Sequence, residues 1–161
     1  MTAEAPPIEL NMIPARVSAL PVINALIARS KAHWTWPEGY LEQALKLHII
    51  DAHYLLSNLC FEIVEKDQQP IAFLSVVRQN AYPLLDNLWV SPEVIGRGVG
   101  RRACMYLFDL ARRHGWTTIE VLPDPPAAAF YGRMGFVDTG QRVASRIPGG
   151  PVFPRLRWSA P

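Results

Sequence analysis

The stretch VSPEVIGRGVGRRA, residues 90–103, places glycines at 96, 98 and 100 and follows them with Arg101 and Arg102. Glycine weakens strands and helices alike, so this density marks a backbone that turns unusually or is approached closely. The arginines point to an anion as the visitor. Before the glycines lies a strand-like run, PLLDNLWV (83–90). After them Val99, Ala103, Leu107, Leu110 and Ala111 form one helical apolar stripe that ends near Gly115. A glycine loop between strand and helix presents unpaired amides together with the positive end of the helix dipole, which is a seat for phosphate or pyrophosphate. A Walker A loop would end in Gly-Lys-Ser/Thr, and here Arg101 follows Gly100. A dinucleotide fingerprint would open a β-α-β chain, whereas this G-x-G-x-G sits mid-chain after hairpin-like strands.

The elements that must position this loop are legible in outline. IELNMI (8–13) reads as a first strand, and residues 15–32 carry helical spacing with a break or late start at Pro21. TWPEGYLEQALKLH (35–48) reads as a helix with Thr35 just upstream and Pro37 in its first turn, and DAHYLLSN as a further short turn of helix. LCFEIVEK and PIAFLSVVRQ form an antiparallel hairpin around DQQ. TTIEVL, reached through a helical crossover, is expected parallel to PLLDNLWV. Asp124 is expected to cap a short helix closed by Gly135, and two strands finish the chain around PGG, the second of them a candidate edge for pairing with another copy.

Composition bounds the rest. The chain has 161 residues, half of them apolar and 19% charged, which suits one globular domain, residues 1–161. A net charge of +2 is too small for wholesale nucleic-acid binding, but Arg97, Arg101, Arg102, Arg112 and Arg113 crowd one segment opposed only by Asp109. Cys60 and Cys104 read as buried free thiols, which fits a reducing cytoplasm. The N-terminus lacks a signal-peptide pattern, and no run is long enough to span a bilayer, so a cytoplasmic protein without a membrane partner is expected. His48, His53 and His114 have no ligand partners at useful spacing, so no metal is assigned.

LWVSPEVIGRGVGRRACMYLFDLA resembles the cofactor motif of the GNAT superfamily of N-acyltransferases, with Val90, Pro92, Gly98 and Gly100 in register and Ile95 where the family has Gln or Arg. DPPAAAFYGRMGF (124–136) resembles the family's later motif, with Phe130, Tyr131, Gly135 and Phe136 in place. The resemblance implies an α+β, GNAT-like acyl-CoA N-acyltransferase fold: a mixed central sheet with splayed central strands, flanked by helices. It implies acetyl-CoA as cosubstrate and an amine, on a small molecule or a protein, as acceptor. The amides of residues 96–101 (Gly96, Arg97, Gly98, Val99, Gly100, Arg101) would cradle the pyrophosphate, aided by the amide of Ile95 and the charge of Arg97, Arg101 or Arg102. Leu88, Trp89 and Val90 would face the pantetheine, and Asp124, Ala127, Phe130, Tyr131 and Arg133 complete the cofactor set. Helical spacing places Phe130 toward the core and turns Tyr131 about 100° away.

A tyrosine, ordinarily near pKa 10, keeps its proton at neutral pH and can donate to a departing thiolate, which makes Tyr131 a candidate general acid; packing against cofactor or core is its other role. Asp86 and Glu120, acids that interrupt apolar strands, are candidate bases, with Glu62 a third. His33, Trp34, Trp36 and Tyr40 either wall an acceptor pocket or pack helices together, and Ser145 and Arg146 would frame the same pocket. Two rivals remain at this stage: an arginine-helix nucleic-acid module, and a domain of this fold that binds acyl-CoA without catalysis.

Overall fold

A computed structural model describes residues 9–66, 69–79 and 81–161. Its centre is a seven-stranded mixed sheet in the order β1-β2-β3-β4-β5-β7-β6. The strands are β1 Leu10–Pro14, β2 Leu59–Glu65, β3 Pro70–Val77, β4 Leu84–Val90, β5 Thr118–Val121, β6 Val137–Ala144 and β7 Val152–Ser159. The helices are α1 Leu20–Ala32, α2 Tyr40–Leu47, α3 Ala52–Ser57, α4 Val99–His114 and α5 Ala128–Arg133. Period-2 alternation in β2 and β3 sorts the side chains: Phe61, Ile63, Ala72, Leu74 and Val76 join the cluster of α4, whereas Cys60 and Phe73 join that of α1 and α3. Helices therefore cover both faces. Among the described residues no helix is long and apolar enough to cross a membrane.

The β2–β3 hairpin is antiparallel as expected, although part of its DQQ connection (residues 67 and 68) lies outside the described residues. Pro21 delays α1 to Leu20, behind a 3-10 turn at Val17–Ala19, because a proline fits the first turn of a helix and not its interior. The second helix begins later than its apolar pattern suggested. Gly39 adopts φ 78° and starts α2 at Tyr40, so Pro37 lies in the preceding turn and Thr35 caps nothing. Asp51 caps α3, accepting a hydrogen bond from the Tyr54 amide at 2.8 Å. The strand after PGG, β7, is not the edge: it runs antiparallel to both β5 and β6, leaving β1 and β6 as the outer strands.

Two polar ties fix the layers. Glu62, fully buried on β2, accepts from the Arg16 backbone at 2.7 Å and from its guanidinium at 2.8 and 3.1 Å. Asn24 on α1 brackets Ile50, donating to its carbonyl at 2.9 Å and accepting from its amide at 2.8 Å, which pins the α2–α3 connection. Leu107, with no exposed surface, anchors α4 to the sheet. Leu107→Ala should lower the unfolding free energy by about 2–5 kcal/mol; urea denaturation measures it, and a loss under 1 kcal/mol would mean that α4 relaxes into the void.

Candidate active site

β4 and β5 are parallel neighbours, yet they pair only at Leu84–Glu120 and Leu85–Val121. Beyond Leu85 the strands part. β4 carries a bulge at the same place: Val76 of β3 faces Leu85 and Ser75 faces Asn87, so Asp86 is the extra residue. The bulge shifts the side-chain phase, turning Trp89 to the α1 face and Leu88 and Val90 to the α4 face. A cleft of about 1030 Å³ follows the parting from the glycine loop to the β6–β7 turn.

At the loop, Gly96 and Gly98 take φ 83° and 80°, a left-handed backbone that strains any side-chain-bearing residue. Gly100 differs: its backbone is not left-handed, but a Cβ there would crowd the Phe130 ring at 3.3 Å. The first intrahelical bond of α4 runs from the Arg102 amide to the Gly98 carbonyl, so the amides of Val99, Gly100 and Arg101 precede the helix ladder. The amides of Ile95 and Arg97 are spent inside the turn, on Pro92 and Val94 at 3.4 and 3.2 Å. The expected amide cradle is thus narrower than residues 95–101. All the cofactor-contact candidates border the cleft except Arg97 and Arg102, which lie outside its walls.

Tyr131 also lines the cleft, but the structure reverses the expected facing of its helix. Tyr131 is 5% exposed and set edge-on to Phe136, while Phe130 is the half-buried ring, drawn over Gly100 where no side chain blocks it. Burial pushes the Tyr131 phenol above its ordinary value. Its hydroxyl makes no hydrogen bond to another described residue.

Of the proposed bases, only Asp86 borders the cleft. Its carboxylate accepts from the Tyr54 hydroxyl, which also bonds Ser75 at 2.8 Å, and Asn87 joins the group at 3.0 Å from Tyr54 and 2.9 Å from Ser75. No cation pairs with Asp86 among the described residues. Glu120, expected as a candidate base, is instead buried off the cleft and held by Arg155 at 3.2 Å and Arg157 at 2.9 Å. Glu62, tied to Arg16, is equally remote.

The aromatic cluster is corrected in part. Trp34, Tyr40, Ser145 and Arg146 line the cleft, whereas His33 and Trp36 do not. The cation that the aromatics surround belongs to the chain itself. Lys31, 1% exposed on α1, puts its Nζ 4.7 Å from the Trp36 ring centre, 5.1 Å from Trp89 and 5.6 Å from Tyr40. Its counter-ion is Asp124 at 3.3 Å. Asp124 therefore does not cap the short helix, making no side-chain cap bond. Sequence reasoning missed Lys31 because a lysine in a helix gives no sign of burial. It also passed over His48, which lines the cleft and is pushed below its ordinary value, first by desolvation and then by the Lys31 charge.

Both cysteines are free and buried, and burial raises each thiol to about 12. Neither borders the cleft. Among the described residues no group of three His, Cys, Asp or Glu side chains is placed to hold a metal ion.

A mixed sheet split at its central parallel pair, with a glycine turn and a helix N-terminus at the split, is the architecture of the acyltransferase class that the two motifs resemble. The chain belongs to the acetyltransferase (GNAT) family, whose model matches residues 25–136. Among solved structures it is similar to a GCN5-related N-acetyltransferase from Rhodopseudomonas palustris, at 22% identity and TM-score 0.78 over 96% of each chain. It is similar also to the PaiA N-acetyltransferase from Thermoplasma acidophilum in complex with coenzyme A, at 12% identity and TM-score 0.75 over 95% of this chain and 100% of that one. A third is the ribosomal-protein-S18-alanine N-acetyltransferase from Escherichia coli, at 18% identity and TM-score 0.69 over 94% of each. No match was found among curated proteins.

The Lys31–Asp124 pair should behave as a coupled unit. Asp124→Asn leaves a buried ammonium without its counter-charge and should cost about 3–5 kcal/mol. Adding Lys31→Met should recover a large part of that loss. Chemical denaturation of both variants measures the coupling, and strictly additive losses would show that the pair is not one.

Proposed function

We propose that the protein, acting as one domain over residues 1–161, transfers an acetyl group from acetyl-CoA directly to an amine in the cytoplasm. The observation that carries this reading is the parted β4–β5 pair, whose cleft is bordered by helix-terminal amides, a hydrogen-bonded carboxylate and a phenol. The PaiA structure, solved with coenzyme A, supports the choice of cosubstrate.

The amides of residues 98–101 receive the pyrophosphate at the positive end of α4, with Arg101 adding charge. Pantetheine lies in the gap against Leu88 and Val90, where β4 has no β5 partner, and the backbone amide at Val90 polarises the thioester carbonyl. Asp86 holds the acceptor ammonium and takes its proton, directly or through water; the freed amine attacks the carbonyl carbon, and the C–S bond breaks. Tyr131 donates a hydrogen bond to sulfur as negative charge grows there. A thiol titrates near 8.5, below the raised phenol, so the stabilisation comes from the hydrogen bond and not from complete transfer to a weaker base. The thiols of Cys60 and Cys104 stay protonated at neutral pH and off the cleft, which favours direct attack over a cysteine-bound intermediate.

Acetyl-CoA at a hundredfold excess over its dissociation constant should stabilise the fold by about 2.7 kcal/mol, and Gly98→Val should abolish that shift while leaving a folded chain. An unmoved melting temperature in the wild type would overturn the reading. Tyr131→Phe should slow single-turnover thiol release by roughly 10²-fold, the effect of losing one hydrogen-bond donor to developing charge, with acetyl-CoA affinity nearly unchanged. An undiminished chemical step would return Tyr131 to a packing role, and binding without any turnover would favour an acyl-CoA sensor.

A further inference from the structure

The acceptor end of the cleft carries four charges, and two of them cancel within the protein. Lys31 and Asp124 satisfy each other at 3.3 Å, with the ammonium sealed under Trp36, Tyr40 and Trp89. That leaves Asp86 on the β4 wall and Arg146 on the β6–β7 turn, and both line the same cleft. Arg146 makes no ion pair or hydrogen bond among the described residues. His48, which lines the same cleft, feels all four charges.

The turn that carries Arg146 is closely packed. Ile147 is buried with Tyr40 and Ala44, and its amide donates to the Ser145 hydroxyl at 3.1 Å. Gly150 approaches so closely that a Cβ would lie 2.6 Å from Ser145 Oγ and 2.9 Å from the Tyr40 ring. Packing thus holds the backbone on either side of Arg146, while the residue itself is exposed. An arginine without a partner among the described residues can anchor an anion, and a guanidinium matches a carboxylate with two parallel hydrogen bonds. The same cleft is also lined by Trp34, Tyr40, Leu47, Trp89 and Phe153, which offer apolar and aromatic surface.

We propose that the acceptor is an amino acid with an apolar side chain, its ammonium held at Asp86 and its carboxylate at Arg146. The proposal rests on the acetyltransferase reading above. A polyamine would need several uncommitted carboxylates in the cleft, and among the described residues Asp86 alone is one; a plain amine would leave Arg146 idle.

The test compares matched acceptors that differ by the carboxylate: phenylalanine against 2-phenylethylamine, and leucine against 3-methylbutylamine. Thiol release from acetyl-CoA is followed for the wild type, Arg146→Met and Arg146→Lys. The wild type should favour each amino acid over its decarboxylated partner by about tenfold to a hundredfold in kcat/KM, the range of a charge-assisted hydrogen bond. Arg146→Met should bring that ratio near one, mainly through KM for the amino acid, and Arg146→Lys should restore part of it. Equal or better use of the decarboxylated amines by the wild type would overturn the proposal. So would a ratio untouched by Arg146→Met, or a protein that accepts none of the four. A thermal shift with acetyl-CoA, measured alongside, tells whether such a failure belongs to the acceptor alone or to the acetyltransferase reading beneath it.

Discussion

The rest of the structure depends on keeping two parallel strands apart. Neighbouring strands gain by continuing their ladder, and backbone groups left without partners must meet water or a ligand. β4 and β5 stop pairing after Leu85 and Val121, and several features hold them so. The Asp86 bulge turns β4 at the point of parting. On the far side β5 is fully engaged, paired with β7 from Thr118–Ser159 to Val121–Leu156, so it cannot swing toward β4 without breaking that ladder. Across the open end Lys31 spans the gap by its contacts, touching Trp89 on β4 and Asp124 beyond β5.

That use of a charge explains an otherwise costly arrangement. A buried lysine resists ionisation, and desolvation lowers Lys31 more than Asp124 raises it. Methionine would fill the space and still touch the aromatic rings without that penalty, but it could not pair with the Asp124 carboxylate. The ammonium ties together four segments that share no continuous hydrogen-bond ladder at this point: α1, the turn before α2, the end of β4 and the loop after β5. Specificity of arrangement is the gain, at some cost in stability.

The sequence disclosed the parts governed by local rules. Pro21 and Gly115 marked helix ends, the apolar stripe from Val99 to Ala111 marked α4, and the glycine spacing marked the loop. What it concealed was long-range. Asp86, Glu120 and Glu62 look alike as acids within apolar strands, and only the pairing of Glu120 with Arg155 and Arg157, and of Glu62 with Arg16, separates them from Asp86. The partner residues lie 35, 37 and 46 positions away, beyond any periodicity. Likewise Lys31 and Asp124 are 93 residues apart, and neither side chain advertises the other. The facing of Tyr131 failed for a related reason: α5 is a six-residue helix, too short for its own period to decide which ring goes inward.

The two motifs, separate in sequence, are one physical unit. Gly96 and Gly98 are glycines because of their own backbone conformation, and a Cβ on either would meet open space. Gly100 has no such conformational need; a Cβ there would press on the Phe130 ring, thirty positions on, at 3.3 Å, with Val90 also within reach at 3.9 Å. The Phe130 ring thereby seats α5 against the first turn of α4, which places Tyr131 on the cleft wall and leaves the amides at the head of α4 uncovered. A change in the glycine loop at position 100 is consequently also a change in the setting of the phenol. The spacing of the glycines thus encodes two demands, a backbone twist at the first two and a ring contact at the third, and the cleft needs both.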